Sequence, residues 1–407
     1  MKEIFTFHIF IITCIFISIT SLGLQPVSAQ SKLPVIEANS ESVIIKDGKY
    51  VEIDWKLNPK LKPDTYFVNI PFRESKVQFE TDKDSLFFDT SPGSSYEFIV
   101  LLNKKDSCYI KIASVLPPDS VKMTCSDSFP IEIPFTLIGS RIYFKGMLNN
   151  KPVNIQLDLG AGTNTVNEKA VDNLQLKFTS LTLVSNTEGL SERRTSENNN
   201  LAIGKIDWTG MPFTEVGNMQ DYEDLIIGNG VFRDKVIEID YDRNLFVIHT
   251  QLPSKVKDYK KLPVYYVQNR PKFEAEFVHN NTRYDFWFLF DTGRDGTMLI
   301  GEDFTSKNNH WDELIPLTMI KGRKIIRLDA TIAGVKFADI VTNAADPAMP
   351  NGRSSLFGNQ VLNHFNVILD NKEGFIYLNP NTRFNEPYSD YQKYLEDISK
   401  TKKSSTQ

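Results

Sequence analysis

The chain is 407 residues long, and at roughly 100 to 200 residues per domain this length predicts two or three compact units. Hydrophobic residues make up 41% and charged residues 24%, a globular balance that excludes wholesale disorder, collagen-like repeats and coiled-coil fibres. The net charge of -5 is too small to indicate a polyanion-binding protein, so we expect no nucleic-acid partner.

The first 29 residues are typical of a signal peptide. Lys2 precedes the apolar run 4–24, and Val27-Ser28-Ala29 places small residues where a signal peptidase reads them. We therefore expect cleavage after Ala29, an exported protein in the periplasm, at the cell surface or outside the cell, and no membrane span in the mature chain. The alternative is a retained transmembrane anchor, because the apolar run is long enough to cross a bilayer.

Residues 30–128 are expected to form a small N-terminal β-domain. Turn signals such as Asp47-Gly48 and Pro92-Gly93 separate short alternating runs, which is typical of a β-sandwich. The clearest runs cover residues 51–55, 66–70 and 96–100. The mature chain keeps two cysteines, Cys108 and Cys125, and an exported compartment permits a disulfide between them. Two unpaired thiols are the alternative.

The remaining chain contains a pattern that occurs twice. A predicted hairpin with its turn at Asn149-Asn150 leads into Asp158-Leu159-Gly160-Ala161, and a second one with its turn at Asn280-Asn281 leads into Asp291-Thr292-Gly293. Both acidic residues therefore end the second strand of a hairpin. The repeat predicts a first lobe over residues 129–252 and a second lobe over 253–385. The charged segment that follows, residues 386–407, is expected to form a tail with a short helix followed by disorder.

Downstream of each acidic residue the two halves keep the same order. An apolar pair followed by Gly228-Asn229 comes 70 residues after the first acid, and Gly358-Asn359 comes 67 residues after the second. Each of these glycines is followed 12 positions later by a strand that ends in an aspartate, Asp240 or Asp370. One Asp-x-Gly tripeptide is ordinary turn chemistry, but the repeated order indicates a duplicated unit.

These motifs resemble the paired active-site signatures of pepsin-like and retropepsin-like aspartic proteases. The resemblance covers roughly residues 131–381 and is strongest to two fused retropepsin-type units, as in secreted bacterial members. It implies an all-β, bilobal, pseudo-twofold fold of β-barrel lobes behind the N-terminal domain. It also implies a catalytic pair, Asp158 and Asp291, and a set of supporting loop residues: Gly160, Ala161, Thr292, Gly293, Gly228 and Gly358.

The implied chemistry needs both halves. Two carboxylates held within about 3 Å cannot both ionise cheaply, so they share one proton. One carboxylate then acts as general base on a water molecule while the other donates a proton to the scissile carbonyl. We therefore expect a secreted aspartic endopeptidase that acts on a peptide or protein substrate.

Two residues depart from the family pattern. Leu159 stands where the family carries Thr, so only one side of the hydrogen-bonded brace beneath the acids can form. Arg294 stands where the family carries a small residue, and an inward guanidinium would favour the ionised form of Asp291. We expect Arg294 to point to solvent or to pair with Asp295. Both departures motivate the alternative function, a non-catalytic protein that binds peptide or glycan at the cell surface.

Other segments give weaker signals. Residues 181–200 are either a flap-like hairpin over the first acid or a surface loop, and residues 317–328, with Lys321-Gly322-Arg323-Lys324, are either a basic rim or a solvated turn. Asp240-Tyr241-Asp242 superficially suggests calcium, but its counterpart Asp370-Asn371 indicates a strand-end turn. Five scattered histidines and the absence of nucleotide-binding motifs lead us to expect no metal and no cofactor.

Overall fold

The structure is a computed structural model that describes residues 33–116, 119–186, 189–349, 352–387, 394–396 and 398–399. The expected signal peptide and most of the C-terminal tail lie outside these residues, and residues 394–396 and 398–399 of the tail are helical. Within the described ranges, no helix combines the length and the apolar character needed to span a bilayer.

The N-terminal domain is a sandwich of two four-stranded sheets, with strand orders β1-β7-β8-β4 and β3-β2-β5-β6. Its strands are β1 (Val35–Ala38), β2 (Ser42–Asp47), β3 (Tyr50–Lys56), β4 (Asp64–Phe67), β5 (Ser75–Glu80), β6 (Ser85–Thr90), β7 (Ser95–Leu102) and β8 (Asp106–Ala113). Alternate residues along each strand face inward, so Phe79, Phe98 and Ile110 are fully buried between the sheets. The expected β-sandwich is confirmed. Cys108 lies in this core as a free thiol, and Cys125 is also unpaired.

The first lobe is built on a sheet with the order β11-β12-β13-β18-β14-β17-β16-β15. Its strands are β9 (Lys122–Cys125), β10 (Ile131–Pro134), β11 (Thr136–Ile138), β12 (Arg141–Leu148), β13 (Lys151–Leu157), β14 (Thr165–Asn167), β15 (Phe178–Asn186), β16 (Gly189–Ile203), β17 (Ile206–Val216), β18 (Leu225–Ile227), β19 (Val236–Asp240) and β20 (Leu245–His249). Its short helices are α1 (Val171–Leu174) and three 3-10 turns, Glu168–Ala170, Asn229–Phe232 and Ser254–Asp258. Strand β9 falls within the predicted N-terminal domain, yet it pairs with β17 of this lobe.

The second lobe repeats that sheet with the order β21-β22-β23-β28-β24-β27-β26-β25. Its strands are β21 (Lys260–Val267), β22 (Arg270–His279), β23 (Thr282–Asp291), β24 (Met298–Ile300), β25 (Thr318–Ile320), β26 (Arg323–Ile332), β27 (Val335–Ala344), β28 (Leu356–Gly358), β29 (Phe365–Asp370) and β30 (Phe375–Pro380). Its helices are α2 (Glu302–Thr305), α3 (His310–Glu313) and α4 (Asn359–Leu362). Each strand has a counterpart at the same place in the first lobe, which confirms the expected all-β, bilobal, pseudo-twofold fold.

A shared sheet of six strands, β10-β20-β19-β29-β30-β21, joins the lobes. At its centre β19 and β29 pair antiparallel, with Ile237 opposite Leu369 and Ile239 opposite Val367. Residues 237 and 367 are separated by 130 positions, and so are residues 239 and 369, so exchanging the lobes maps this pairing onto itself. A near-twofold axis therefore passes between β19 and β29, and one cluster of buried apolar side chains runs through both lobes.

The N-terminal domain is anchored to the second lobe through β21. The Asn69 side chain donates to the Tyr266 carbonyl oxygen at 2.7 Å and accepts from the Tyr266 backbone N–H at 2.7 Å. The rings of Tyr50 and Tyr265 pack against each other with centroids 4.8 Å apart. The Asn69 amide thus bonds both the N–H and the carbonyl group of Tyr266, as a neighbouring strand would at the edge of a sheet. This pairing fixes the orientation of the N-terminal domain.

Candidate active site

Parallel strand pairs place both acidic residues at the lobe junction. Strand β13 leads directly into Asp158, and β23 ends at Asp291. Each pairs in parallel with the strand that carries the later glycine, so Leu157 lies opposite Ile227 and Asp291 lies opposite Gly358. Because parallel neighbours end at the same edge of a sheet, each acid lies beside the Gly-Asn segment of its own lobe.

The two carboxyl groups meet across the lobe junction. Each lies against the Asp-x-Gly loop of the other lobe, and the charge of Asp291 acts on Asp158. A β-carbon added to Gly160 would lie 2.6 Å from Asp291 Cγ, and one added to Gly293 would lie 2.2 Å from Asp158 Cγ. The motif therefore requires glycine at both positions, because any side chain would collide with the acid of the opposite lobe.

Backbone donors hold each carboxylate. The N–H of Gly160 donates to Asp158 Oδ1 at 2.7 Å. Asp291 Oδ1 accepts from two N–H groups, those of Gly293 and Arg294, each at 3.0 Å. Hydrogen bonds from backbone N–H groups stabilise the ionised form of a carboxyl group, so both loops oppose the effect of burial on their acids.

Electrostatics separates the two acids further. Burial raises the pKa of both carboxyls, and the negative charge of Asp291 raises the pKa of Asp158 further, well above its usual range. For Asp291, the charge of Arg294 and the backbone N–H groups of Arg294 and Gly293 oppose the rise in pKa. The pair therefore shares one proton, with the positive charge of Arg294 on the side of Asp291, and its two apparent pKa values belong to the pair.

A half-brace lies beneath the acids. Thr292 is fully buried; its hydroxyl accepts from the Leu159 N–H at 2.9 Å and donates to the Leu157 carbonyl oxygen at 3.0 Å. The buried Leu159 side chain has no hydroxyl to return this interaction, so only the expected half is present. Gln156 adds a second link between the lobes, since its side-chain N–H donates to the Gly293 carbonyl oxygen at 3.1 Å.

The supporting glycines allow close backbone contacts. A β-carbon on Gly228 would lie 2.4 Å from the carbonyl oxygen of Ala161, and one on Gly358 would lie 2.2 Å from that of Gly296. The later glycine in each lobe thus packs directly on the loop that follows the acid of the same lobe. A methyl group at either position would push that loop out of place.

The asparagines after these glycines tie the lobes together. Asn229 Nδ2 donates at 3.0 Å to the carbonyl oxygen of Asn269, which lies in the β21–β22 turn of the second lobe. Asn359 Nδ2 donates to the carbonyl oxygen of Ser140, in the β11–β12 turn of the first lobe. The sequence repeat contained both asparagines, but their reciprocal role depends on the twofold arrangement of the lobes.

Arg294 is not seen to pair with Asp295, one of its two expected positions. It is half-buried, it lines the cleft, and its Nη2 donates to the Met298 carbonyl oxygen at 3.3 Å. Asp295 accepts instead from the N–H and hydroxyl of Ser140, at 3.1 and 2.8 Å. The turn of the other lobe satisfies Asp295, and Arg294 folds along its own loop.

Arg270 is a site residue that sequence reasoning missed. It is the first residue of β22, its Nε donates to the Val267 carbonyl oxygen at 3.1 Å, and its charge interacts with both Asp158 and Asp291. Burial lowers the pKa of Arg270, and the two carboxyls oppose this change. The sequence offered one clue to Arg270. In the first lobe, Arg141 begins strand β12, the counterpart of β22, and it also comes just after the turn that precedes the strand.

The acids open into a cavity of about 800 Å³ between the lobes. Beyond the dyad, its polar wall includes Arg141, Glu223, Arg270, Arg294, Arg353 and, from the C-terminal tail, Tyr394. Strands β15 and β16 do form the hairpin considered for residues 181–200. However, its Thr182 and Thr195 line a separate cavity of about 350 Å³, and no described residue of the hairpin lines the cavity above the acids.

The described ranges contain no group of three His, Cys, Asp or Glu side chains that could hold a metal ion. Asp240 accepts from Arg243 Nε at 2.7 Å, and Asp242 accepts from the Thr382 N–H at 3.0 Å. Both carboxylates of the Asp240-Tyr241-Asp242 segment are therefore used in hydrogen bonds that hold chain segments together.

Comparison with known proteins supports an aspartic protease relationship. The family model described as aspartyl protease matches residues 144–231, a span that contains the first acid and the later glycine of the first lobe. Among solved structures, the aspartic proteinase from Irpex lacteus is similar at a TM-score of 0.43 and 11% identity, over 63% of this chain and 99% of that one. No curated protein matches the sequence.

Proposed function

We propose that this chain is a secreted aspartic endopeptidase in which Asp158 and Asp291 activate a water molecule. The observation that carries the proposal is that each carboxyl lies against the Asp-x-Gly loop of the other lobe, and that both line one cavity large enough for an extended peptide. The family match around Asp158 and Gly228 supports the same chemistry. Export is proposed from the pattern of residues 1–29, and mass spectrometry of the exported protein should find a chain that begins at Gln30.

The asymmetry of the pair assigns the roles in this proposal. Ionised Asp291 takes a proton from a water molecule held between the acids, whose oxygen attacks the scissile carbonyl carbon, while Asp158 gives its proton to the carbonyl oxygen. The resulting tetrahedral diol collapses as Asp291 returns its proton to the amide nitrogen and the C–N bond breaks. A diol hydroxyl then reprotonates Asp158, so the enzyme ends as it began and forms no covalent intermediate.

The test is proteolysis by the mature protein. Wild-type protein should cleave an unfolded protein substrate at acidic to neutral pH, and Asp158→Asn and Asp291→Asn should each lose nearly all of this activity. Asp285→Asn is a matched control, because Asp285 is an exposed residue of the strand that carries Asp291. Activity that is unchanged in both dyad variants would remove the proposal.

Leu159 and Arg294 favour a second candidate, a non-catalytic protein that binds peptide or glycan in the same cleft. Leu159 leaves half of the brace unmade, and Arg294 places a positive charge next to one acid. Binding of an unfolded chain without any cleavage across the pH range would favour this candidate. Cleavage that depends on Asp158 and Asp291 would eliminate it.

A further inference from the structure

The wall of the cleft formed by the second lobe carries a cluster of arginines. Arg294 and Arg353 line the cavity. Arg323 follows the turn between β25 and β26, whose residues Ile320 and Ile325 line the same cavity on either side of it. The turn that sequence analysis could assign only as a basic rim or a solvated loop is therefore part of the cleft wall.

Arg353 lies close enough to Arg294 and Arg323 for both of their charges to act on it. Burial, followed by the charges of Arg323 and Arg294, lowers the pKa of Arg353, while Glu302 opposes this change. Arginine nevertheless stays charged near neutral pH. Glu302 is itself buried and accepts from the Gly352 N–H at 2.8 Å, so its carboxylate serves this backbone group as well as the charge of Arg353.

On the opposite wall, formed by the first lobe, positive and negative charges balance. Arg141, at the equivalent edge of the first lobe, pairs with Glu223 at 3.2 Å. Glu223 also accepts from the Tyr143 hydroxyl, and it is almost completely buried. The cleft thus has a neutral first-lobe wall and a positively charged second-lobe wall. The charge excess faces the space that a substrate must occupy.

One atom of this wall lacks a partner. Within the described part of the chain, Arg294 Nε is buried and has no hydrogen-bond partner. A buried N–H group without an acceptor is costly, and guanidinium groups bind carboxylates through paired N–H donors. An incoming carboxylate would both supply acceptors and reduce the repulsion among the three cations.

We infer that the Arg294–Arg323–Arg353 wall binds a carboxylate of the substrate, so that the enzyme selects peptides that carry one near the scissile bond. This inference rests on the proposed function. The carboxylate belongs either to an Asp or Glu side chain or to the C-terminus of the peptide, and the arms of the experiment separate these sources. Peptides with Lys at the same position are disfavoured by repulsion.

The test measures binding and cleavage separately. Binding uses fluorescence anisotropy with the Asp291→Asn variant and amidated peptides in which one Glu or Gln is moved through the sequence, together with a Gln peptide that has a free C-terminal carboxylate. We expect at least one carboxylate peptide to bind about tenfold more tightly than its neutral counterpart, equivalent to about 1.4 kcal/mol. Cleavage uses wild-type protein and the same peptides, and we expect the same preference in kcat/KM.

Arg353→Met should abolish the preference. Arg327→Met is the matched control and should retain it, because Arg327 lies on the same strand as Arg323 but is exposed and paired with Asp339. Raising the ionic strength should also weaken the preference of the unmodified wall, and this readout does not depend on the folding of a variant.

The outcomes distinguish the two proposals. Equal binding of carboxylate, neutral and Lys peptides, or a preference that survives Arg353→Met, overturns the inference. Cleavage without a carboxylate preference leaves the endopeptidase proposal standing and removes the inference. Carboxylate-selective binding without cleavage of any peptide supports the charged wall and rejects the endopeptidase.

Discussion

The half-brace under the dyad gives a sharp test of how the lobes are held together. Thr292→Val keeps the shape of the side chain but replaces the hydroxyl with a methyl group. It therefore removes the acceptor for the Leu159 N–H and the donor to the Leu157 carbonyl oxygen, contacts of 2.9 and 3.0 Å in a fully buried position. Thr292→Ser is the matched control, because it keeps the hydroxyl and loses only a methyl group.

The expected magnitudes follow from these contacts. Each buried backbone group left without a partner costs about 1–3 kcal/mol, so Thr292→Val should reduce the free energy of unfolding by about 3 kcal/mol. Thr292→Ser loses a buried methyl group and should cost about 1 kcal/mol. At about 2–4 °C per kcal/mol, the corresponding falls in Tm are about 6–12 °C and about 2–4 °C.

The assay combines thermal unfolding with peptide cleavage. Because the hydroxyl fixes the first Asp-x-Gly loop against the second, its loss should also misplace the acids and lower kcat/KM by about 10²-fold. Thr292→Ser should keep most of the activity. If Thr292→Val unfolds at the same temperature as Thr292→Ser and cleaves peptides equally fast, the brace does not hold the loops and this reasoning is wrong.

Three further predictions test the surroundings of the dyad. Arg294→Met should move the acidic limb of the kcat/KM profile to higher pH, because the cation lowers the pKa of Asp291 and its removal lets that pKa rise; an unmoved limb would contradict this. Gly293→Ala should inactivate the enzyme, because the new carbon would lie 2.2 Å from the opposite carboxyl, whereas Gly162→Ala meets only a flexible side-chain oxygen at 3.2 Å and should remain active. Asn69→Ala should expose the junction of the N-terminal domain to limited proteolysis, through the loss of two hydrogen bonds worth about 1 kcal/mol each, and an unchanged digestion pattern would show that other contacts hold the domain.

Sequence reasoning located the features that are local in the chain. A strand that runs into Asp158 or Asp291, followed by glycine, is a short pattern, and its repetition singled out both loops. The missing half of the brace was also predictable from the sequence, because Leu159 has no hydroxyl group in any surroundings. These inferences depend on residue chemistry within a few positions of each motif, which the sequence displays directly.

Features that depend on register between distant segments were not accessible in that way. Arg270 reaches the dyad because β22 pairs antiparallel with β23, and its equivalence to Arg141 is obscured because the second hairpin has longer strands than the first. The reciprocal bonds of Asn229 and Asn359 require the twofold relation between lobes. Such contacts follow from the packing of whole lobes, which no short pattern encodes.

The same scaffold explains how one chain makes two equivalent acids behave differently. The backbone supplies similar donors to both, with the Gly160 N–H at 2.7 Å from Asp158 and the Gly293 N–H at 3.0 Å from Asp291. At the third position after each acid, however, the first lobe has Ala161 and the second has Arg294. Two identical lobes would carry the same residue at both places and leave the proton without a preferred side. In a single chain, this difference puts a positive charge beside Asp291 alone, which favours ionisation on that side, and it also begins the charged wall that we propose receives the substrate.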